Sequence, residues 1–225
     1  MVCSSNTRLY SRNKVVLTLM KLKLNVSLNS LGVLFRVSSK AARSYFYDTL
    51  QQLSAILKPL IRFPPKEEIL SNIPLCFDKY RSTRLILDCT EINIEKSNCL
   101  KCRINSYSYY KKNNTIKYLI GYGGRVSDKA IFNAEHVIDK VDPGDGIMVD
   151  KAFLRKSKQF SKEDAIKTTS IARARVHVEQ AIQRIKTFKV CKGTVLWTLL
   201  PYMDDIIVGL TNLGQPILAD NKFHT

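Results

Sequence analysis

Residues 84–94 read RLILDCTEINI, and residues 147–150 read IMVD. Each stretch holds a short apolar run followed by an aspartate, Asp88 in the first and Asp150 in the second. Short apolar runs of this length, bounded by polar residues, are typical of buried strands. If the two strands are neighbours, both carboxylates emerge at the same edge of the sheet, where α/β sheets place their ligands.

A third carboxylate, Glu179, lies on a helix predicted over residues 167–189. The apolar residues of this helix fall within an arc of about 100°, and Glu179 lies beside that arc with Arg175 and Lys186 nearby. Three converging carboxylates suit divalent cations such as Mg²⁺, which prefer oxygen ligands and support phosphoryl transfer. A structural interpretation stays open, because strand-end aspartates often form turns and Glu179 can pair with Arg175.

The remaining elements of this region alternate between strands and helices. A second strand is predicted over residues 115–122, and a helix begins near Ser127 and ends at the turn Pro143–Gly146. Strands followed by helix, strand and helix predict an α/β or α+β domain.

The N-terminal part is predicted to be helical throughout. Apolar residues recur at helical spacing over residues 15–57, with a break at Arg36–Ser38. Ser38 or Ser39 can cap the helix that follows. This pattern predicts a helix-turn-helix motif in which Ser39, Lys40 and Arg43 face the groove of DNA. An ordinary helical hairpin has the same apolar spacing and remains the alternative.

Charge points to a polyanionic partner. The chain has 225 residues, with 36 Lys and Arg against 19 Asp and Glu, a formal net charge of +17. Residues 131–150 reverse the sign, with one lysine against five acidic residues. Basic segments around a small acidic stretch fit a nucleic acid held over carboxylates that bind cations.

Membrane and secretory classes are not indicated. The longest apolar run, residues 196–210, is interrupted by Pro201 and by Asp204 and Asp205, so no membrane partner is expected. The N-terminus does not resemble a secretory signal, and six scattered cysteines do not resemble a disulfide framework. We therefore expect an intracellular protein with reduced thiols.

Two further motifs have open interpretations. Cys99 and Cys102 form a lone CxxC pair, which is either incidental or half of a zinc site. The stretch YSYYKK, residues 107–112, either stacks on bases and contacts phosphates through Lys111 and Lys112, or forms a half-buried strand with a basic edge.

Ordered blocks of the chain resemble a known family. They are LDCTEI at 87–92, YYKKNNTIKYLIG at 109–121, GGRVSDK at 123–129, PGDGIMVDK at 143–151 and IARARVHVEQAIQRIK at 171–186. These blocks are similar to the nuclease domain of Harbinger-type transposases, the DDE superfamily endonucleases. The helical N-terminal region also resembles the helix-turn-helix of that family.

The resemblance implies a ribonuclease-H-like fold, a mixed sheet flanked by helices. It places Asp88, Asp150 and Glu179 in the catalytic, metal-binding positions, with Asp128 as a rival for the second. It implies Mg²⁺ or Mn²⁺, two-metal-ion cleavage of DNA, a nuclear or cytoplasmic location and a separate DNA-binding partner protein. The helix-turn-helix region is expected to span residues 1–70 and the endonuclease domain residues 71–225.

The chain departs from the family pattern in its spacing. Ile120-Gly121 runs directly into Tyr122-Gly123-Gly124, where the family has a further strand and turn, and only 28 residues separate Asp150 from Glu179. Ala152 stands where the family has a glycine. An inactive, domesticated or decayed transposase-derived protein that binds DNA without cleaving it is therefore the alternative function.

Overall fold

The computed structural model describes residues 9–62, 64–71, 77, 81–87, 90–117, 122–123, 141–149, 179–180 and 182–214. Contacts divide the chain into two compact units. The helical unit contains the described residues of 1–61, 92–95 and 184–214, and the sheet unit contains those of 62–91 and 96–183.

The helical unit begins with consecutive helices, as predicted. They are α1 Ser11–Leu24, α2 Leu28–Leu34 and α3 Ser39–Leu57, and a 3-10 turn Lys58–Leu60 follows. Their shared core consists of fully buried side chains, among them Leu17, Leu22, Leu31, Phe46 and Leu50. Each of these lies on the apolar stripe that the helical spacing predicts.

The turn between α2 and α3 is tight and is closed by backbone contacts. The N–H of Val37 donates to the carbonyl of Gly32 at 2.9 Å, and Arg36 adopts a left-handed φ of 54°. A Cβ at Gly32 would lie 3.0 Å from the Val37 oxygen, so the close approach requires glycine. Ser38 then caps α3 by accepting a hydrogen bond from the N–H of Ala41 at 3.1 Å.

A C-terminal segment completes the helical unit. It contains the 3-10 turns Lys189–Lys192 and Trp197–Leu199 and the helix α6, Leu200–Asn212. The unit also includes residues 92–95, where Ile94 forms a parallel bridge with Val195. The contact-based division therefore differs from the contiguous boundary after residue 70, which follows sequence order and stays a prediction.

Helix α6 packs along α3 with a constant offset in residue number. Tyr47 contacts Thr198 at 3.1 Å, Gln51 contacts Tyr202 at 3.1 Å, and Ser54 donates to Asp205 at 2.5 Å, each pair 151 residues apart. The two helices therefore run side by side in the same direction. A Cβ at Gly209 would lie 2.8 Å from the Leu57 Cβ, so the packing is close.

The sheet unit contains short strands and helices. The helices are α4 Lys66–Ser71 and α5 Leu100–Ser106. The strands of the chain are β1 Thr83–Leu87, β2 Glu91–Asn93, β3 Tyr107–Ser108, β4 Asn113–Lys117, β5 Tyr122–Gly123 and β6 Gly146–Val149. Strands β1 and β6 are parallel, and β3 and β5 each pair antiparallel with β4. This is a mixed α/β architecture, as predicted.

Two predicted strands differ from the observed ones. Residues 84–94 form two strands, β1 and β2, rather than one. The strand predicted over 115–122 ends at Lys117, and Tyr122 belongs to β5, which pairs antiparallel with β4 and therefore requires a reversal of the chain between them. Periodicity finds apolar residues but does not detect a reversal within them.

The helix predicted over residues 167–189 is shorter at its C-terminal end. Residues 179–180 and 182–186 are helical, and Lys189 already belongs to a 3-10 turn. Ile185, on the predicted apolar face, is buried. The rest of this helix and the helix predicted from Ser127 lie outside the described residues. Within the part of the chain that the structure covers, no helix is long and apolar enough to cross a membrane.

Candidate nuclease site

The two strands that precede the sequence-predicted aspartates are neighbours. Strands β1 and β6 pair in parallel, and Leu87 is the Cα partner of Val149 at their last described residues. Asp88 and Asp150 are the next residues in the sequence and themselves lie outside the described residues. The condition that the two strands are neighbours is therefore met, and the positions of the carboxylates stay a prediction.

The register between β1 and β6 shifts by one residue near Arg84. Thr83 is the partner of Gly146, whereas Leu85 is the partner of Ile147, so β1 has one residue more than β6 in this interval. Without the extra residue, the count from Thr83 would bring Leu87 opposite Asp150. Such irregularities re-aim side chains in sheets. The shift aligns the ends of the two apolar runs.

Ion pairs and hydrogen bonds stabilise the end at which β1 and β6 begin. Lys66 Nζ donates to Asp145 at 2.5 Å, and Arg84 Nε lies 3.8 Å from the second oxygen of the same carboxylate. Arg84 also donates to the Pro64 carbonyl at 2.6 Å. The N–H of Gly146 donates to the Ser82 carbonyl at 2.7 Å. The segment before α4 is thus tied to the start of both strands.

Asp145 forms ion pairs with Lys66 and Arg84 that the sequence did not indicate. Its side chain is only 2% exposed, and the hydrogen bond from Lys66 is the main cause of the lowered pKa of this carboxyl. The same bond raises the pKa of Lys66. Asp145 belongs to the acidic stretch 131–150, but it directly precedes β6 and its charge is neutralised by Lys66. Lys66 is 79 residues away, and no local pattern links the two.

Asp145→Asn is expected to lower the melting temperature, because it leaves Lys66 and the largely buried Arg84 without the carboxylate that neutralises them. Since the folded-state pKa of Asp145 is lowered, its stabilisation is present above the ordinary carboxyl range and is lost as the pH falls below it. Thermal unfolding at pH 7 and at pH 3 measures both effects.

The matched control is Glu68→Gln, which removes the exposed pair between Arg62 and Glu68. Exposed pairs contribute about 0.2 to 1 kcal/mol, so this change should be nearly silent. Equal melting temperatures for the two variants at pH 7 would contradict the structural role of Asp145.

The third predicted carboxylate is available to solvent. Glu179 is helical and exposed, and Lys186 lies further along the helical residues and is half-buried. Arg175 and the rival Asp128 lie outside the described residues. Of the predicted metal ligands, only Glu179 is described, and no group of three or more His, Cys, Asp or Glu able to hold a metal occurs among the residues that were placed.

The predicted DNA-contacting residues of α3 are exposed. Ser39, Lys40 and Arg43 lie in its first two turns, directly after the turn from α2, and Ala42 between them is fully buried. The hydroxyl of Ser39 also donates to Asn29 of α2, which fixes the start of α3 against α2. The geometry fits a helix-turn-helix that presents the N-terminal end of α3 to a ligand.

The CxxC pair has no described zinc partner. Cys99 caps α5, and its Sγ accepts a hydrogen bond from the N–H of Cys102 at 3.5 Å. This bond lowers the pKa of Cys99, and the hydrogen bond between the thiols raises the pKa of Cys102. Both thiols are exposed, and the described part of the chain brings no third metal-binding side chain to them.

Comparison with known proteins identifies the family. The family described as DDE superfamily endonuclease matches residues 87–215, more than half of the chain. The family described as the helix-turn-helix of DDE superfamily endonuclease matches residues 7–59. The chain therefore belongs to the DDE superfamily endonucleases, whose nuclease domain has a ribonuclease-H-like fold. No curated protein matches the chain, and no solved structure matches it.

Proposed function

We propose that this protein is a transposase-like endonuclease of the Harbinger type that cleaves DNA phosphodiester bonds with divalent metal ions. Asp88, Asp150 and Glu179 are the proposed ligands of Mg²⁺ or Mn²⁺. The single observation that carries the proposal is the parallel pairing of β1 with β6, in which Leu87 and Val149 are partners.

The register supports convergence of the two aspartates. Neighbouring strands lie about 4.8 Å apart, and partner residues of a parallel pair project to the same face. Continuing the pairing of Leu87 with Val149 by one residue sets Asp88 beside Asp150. At that spacing two carboxylates can share a cation, and leaving them together without one would cost free energy through mutual repulsion.

The donor set fits a hard cation. All three proposed ligands are carboxylates, which Mg²⁺ and Mn²⁺ prefer over sulfur ligands. Bound metal ions supply stabilisation of charge on the attacking and leaving oxygens of the phosphodiester. The alignment would come from the protein: the paired strands would bring two carboxylates to one edge, and the exposed helical Glu179 would supply a third from a separate element.

Basic residues would position the DNA. Lys40 and Arg43, with Ser39, are proposed to enter a groove of the duplex from α3, since all three are exposed at its start. Lys111, Lys112, Arg175 and Lys186 are proposed to contact phosphates. The family and the net charge of +17 support a nuclear site of action, and the resemblance to Harbinger-type transposases supports a separate DNA-binding partner protein.

A second candidate function is DNA binding without cleavage, in a domesticated or decayed relative. The observation that favours it is in the sequence: Ile120-Gly121 runs directly into Tyr122-Gly123-Gly124, where the family has a further strand and turn. The helical unit, in contrast, has a complete core and a capped α3. Loss of alignment in the sheet would abolish cleavage and leave the helix-turn-helix intact.

The experiment that separates the two candidates is thermal unfolding of the full chain with and without Mn²⁺, for the parent and for Asp150→Asn. A ligand that binds only the folded state stabilises it by RT ln(1 + [L]/Kd), about 2.7 kcal/mol at a hundredfold excess over Kd. We expect the parent to melt roughly 5 to 10 °C higher under those conditions and the variant to lose most of that shift.

The matched control is Asp142→Asn, which makes the same charge change at an exposed residue before β6 and should keep the shift. A parent that unfolds cooperatively without any Mn²⁺ shift would contradict the metal site and leave the second candidate. A full shift in Asp150→Asn would contradict the assignment of that ligand.

A further inference from the structure

The turn between β3 and β4 carries three tyrosines and two lysines, and we call residues 107–112 the tyrosine-lysine turn. Strand β3 pairs with β4 through Tyr107 with Asn114 and Ser108 with Asn113, so residues 109–112 form the connection. The Ser108 hydroxyl accepts a hydrogen bond from the N–H of Lys111 at 3.2 Å, and Lys112 has a left-handed φ of 52°. The turn is therefore compact and has a defined geometry.

Two hydrogen bonds of the buried Asn114 stabilise the tyrosine-lysine turn. The side-chain amide of Asn114, only 2% exposed, donates to the Arg103 carbonyl at 2.8 Å and to the Ser106 hydroxyl at 2.7 Å. These bonds join β4 to α5. Buried hydrogen bonds whose donors and acceptors are satisfied stabilise one local conformation. The hairpin of β3 and β4 therefore keeps residues 109–112 in a defined position.

Tyr109 and Tyr110 at the tip are exposed, so the half-buried strand is limited to Tyr107 and Ser108. Tyr109 is 73% exposed and Tyr110 is 84% exposed, and Tyr107 lies edge-on to Tyr109 with ring centroids 5.4 Å apart. Lys111 Nζ lies 5.1 Å from the ring centroid of Tyr110. Among the residues that the structure describes, none hydrogen-bonds to the hydroxyl of these three tyrosines. Tyr109 and Tyr110 therefore leave most of their surface accessible to a flat aromatic ligand.

The charge around the turn selects an anion. Residues 96–112 contain five exposed lysines and arginines and no aspartate or glutamate. A ligand that offers both flat aromatic groups and regularly spaced negative charges is a nucleic acid whose bases are unpaired. In a duplex the base faces stack on one another and are not accessible to side chains, so duplex DNA would use only the positive charge.

We propose that the tyrosine-lysine turn binds single-stranded DNA, with unpaired bases stacked on Tyr109 and Tyr110 and phosphates contacted by Lys111 and Lys112. The proposal rests on the proposed function for the identity of the polymer as DNA. A nuclease that acts at a strand junction benefits from a site that holds the separated strand, and this turn supplies such a site without reading sequence.

The test is binding of fluorescent oligonucleotides to the full chain in EDTA, measured by anisotropy, so that the metal site does not contribute. The probes are a single-stranded oligothymidine, a duplex of the same length and an abasic oligonucleotide with the same phosphates and no bases. Stacking is worth about 1 to 3 kcal/mol per base, so removing both rings in Tyr109→Ala with Tyr110→Ala should weaken oligothymidine binding roughly thirtyfold to ten-thousandfold.

The controls separate stacking from charge. Tyr109→Phe with Tyr110→Phe keeps the rings and should bind oligothymidine as the parent does. The double alanine variant should bind the duplex and the abasic probe as the parent does. Lys111→Gln should weaken all three probes and reduce the salt dependence of single-strand binding by about 0.7 in the log–log slope.

Equal affinity of the parent for the abasic probe and oligothymidine would overturn the proposal, as would an unchanged affinity in a folded double alanine variant. Failure of the proposed function has a different signature. A parent that binds oligothymidine through the tyrosines but neither binds Mn²⁺ nor cleaves DNA would retain this inference and lose the nuclease.

Discussion

Asp88→Asn and Asp150→Asn are each expected to abolish metal-dependent cleavage of DNA. An amide keeps the size of the carboxyl group but removes the charge that holds a divalent cation. Changes to residues that only support a metal ligand typically cost ten- to hundredfold, so loss of a ligand should exceed a hundredfold. Conversion of supercoiled plasmid to nicked and linear DNA, with Mn²⁺ and then with EDTA, measures the effect.

The two variants should behave alike, because continuing the pairing of Leu87 with Val149 by one residue would give the two aspartates equivalent positions. Glu179→Gln should also abolish cleavage, whereas Asp142→Asn should cleave as the parent does. Asp128→Asn tests the rival assignment: if it abolishes cleavage and Asp150→Asn does not, the second ligand is Asp128. Cleavage that survives in all three ligand variants would refute the proposed site.

Asp204→Asn is expected to raise the free energy of unfolding by about 2 to 3 kcal/mol at pH 7.5. Burial, and secondly the nearby charge of Asp205, raises the pKa of Asp204 to about 6 from the ordinary 3.8. The folded state therefore bears the cost of ionising a poorly solvated carboxyl, and an amide removes it. Urea unfolding of parent and variant measures the difference.

The pH dependence of the free energy of unfolding tests whether the raised pKa of Asp204 is the cause. Because the folded-state pKa is raised, Asp204 binds protons more readily in the folded state, and stability falls as the pH rises from about 4 to about 6. The advantage of Asp204→Asn should vanish below pH 4 and be complete above pH 6. Exposed Asp142→Asn should change stability by less than about 0.5 kcal/mol. A pH-independent gain in Asp204→Asn would contradict burial as the cause.

Periodicity and the placement of polar residues predicted the elements that bear the candidate site. The runs before Asp88 and Asp150 are short and apolar, and such runs are typical of buried strands. The break at Arg36–Ser38 was visible because Ser38 is a capping residue. The strand ends and the position on the long helix marked Asp88, Asp150 and Glu179 as candidates, and the family resemblance assigned them the catalytic positions.

Contacts between distant residues could not be predicted in this way. The pairing of Lys66 with Asp145 spans 79 residues, and the extra residue near Arg84 changes the register without changing the apolar pattern. Helix α3 showed an apolar stripe and α6 coincides with most of the apolar run 196–210, but neither pattern specifies a packing partner. One sequence contains too few constraints to choose among the packings that bury the same residues.

The 151-residue offset between α3 and α6 has a consequence for synthesis of the protein. At about 5 to 20 residues per second, α3 is translated roughly 8 to 30 s before its partner helix. During that interval Leu57 and the other residues of α3 that pack against α6 are without their partner helix. A premature stop codon before residue 200 would therefore remove the helix that packs on α3, which carries the proposed DNA-contacting residues, and would also shorten the proposed nuclease domain. Both proposed activities would then be lost together.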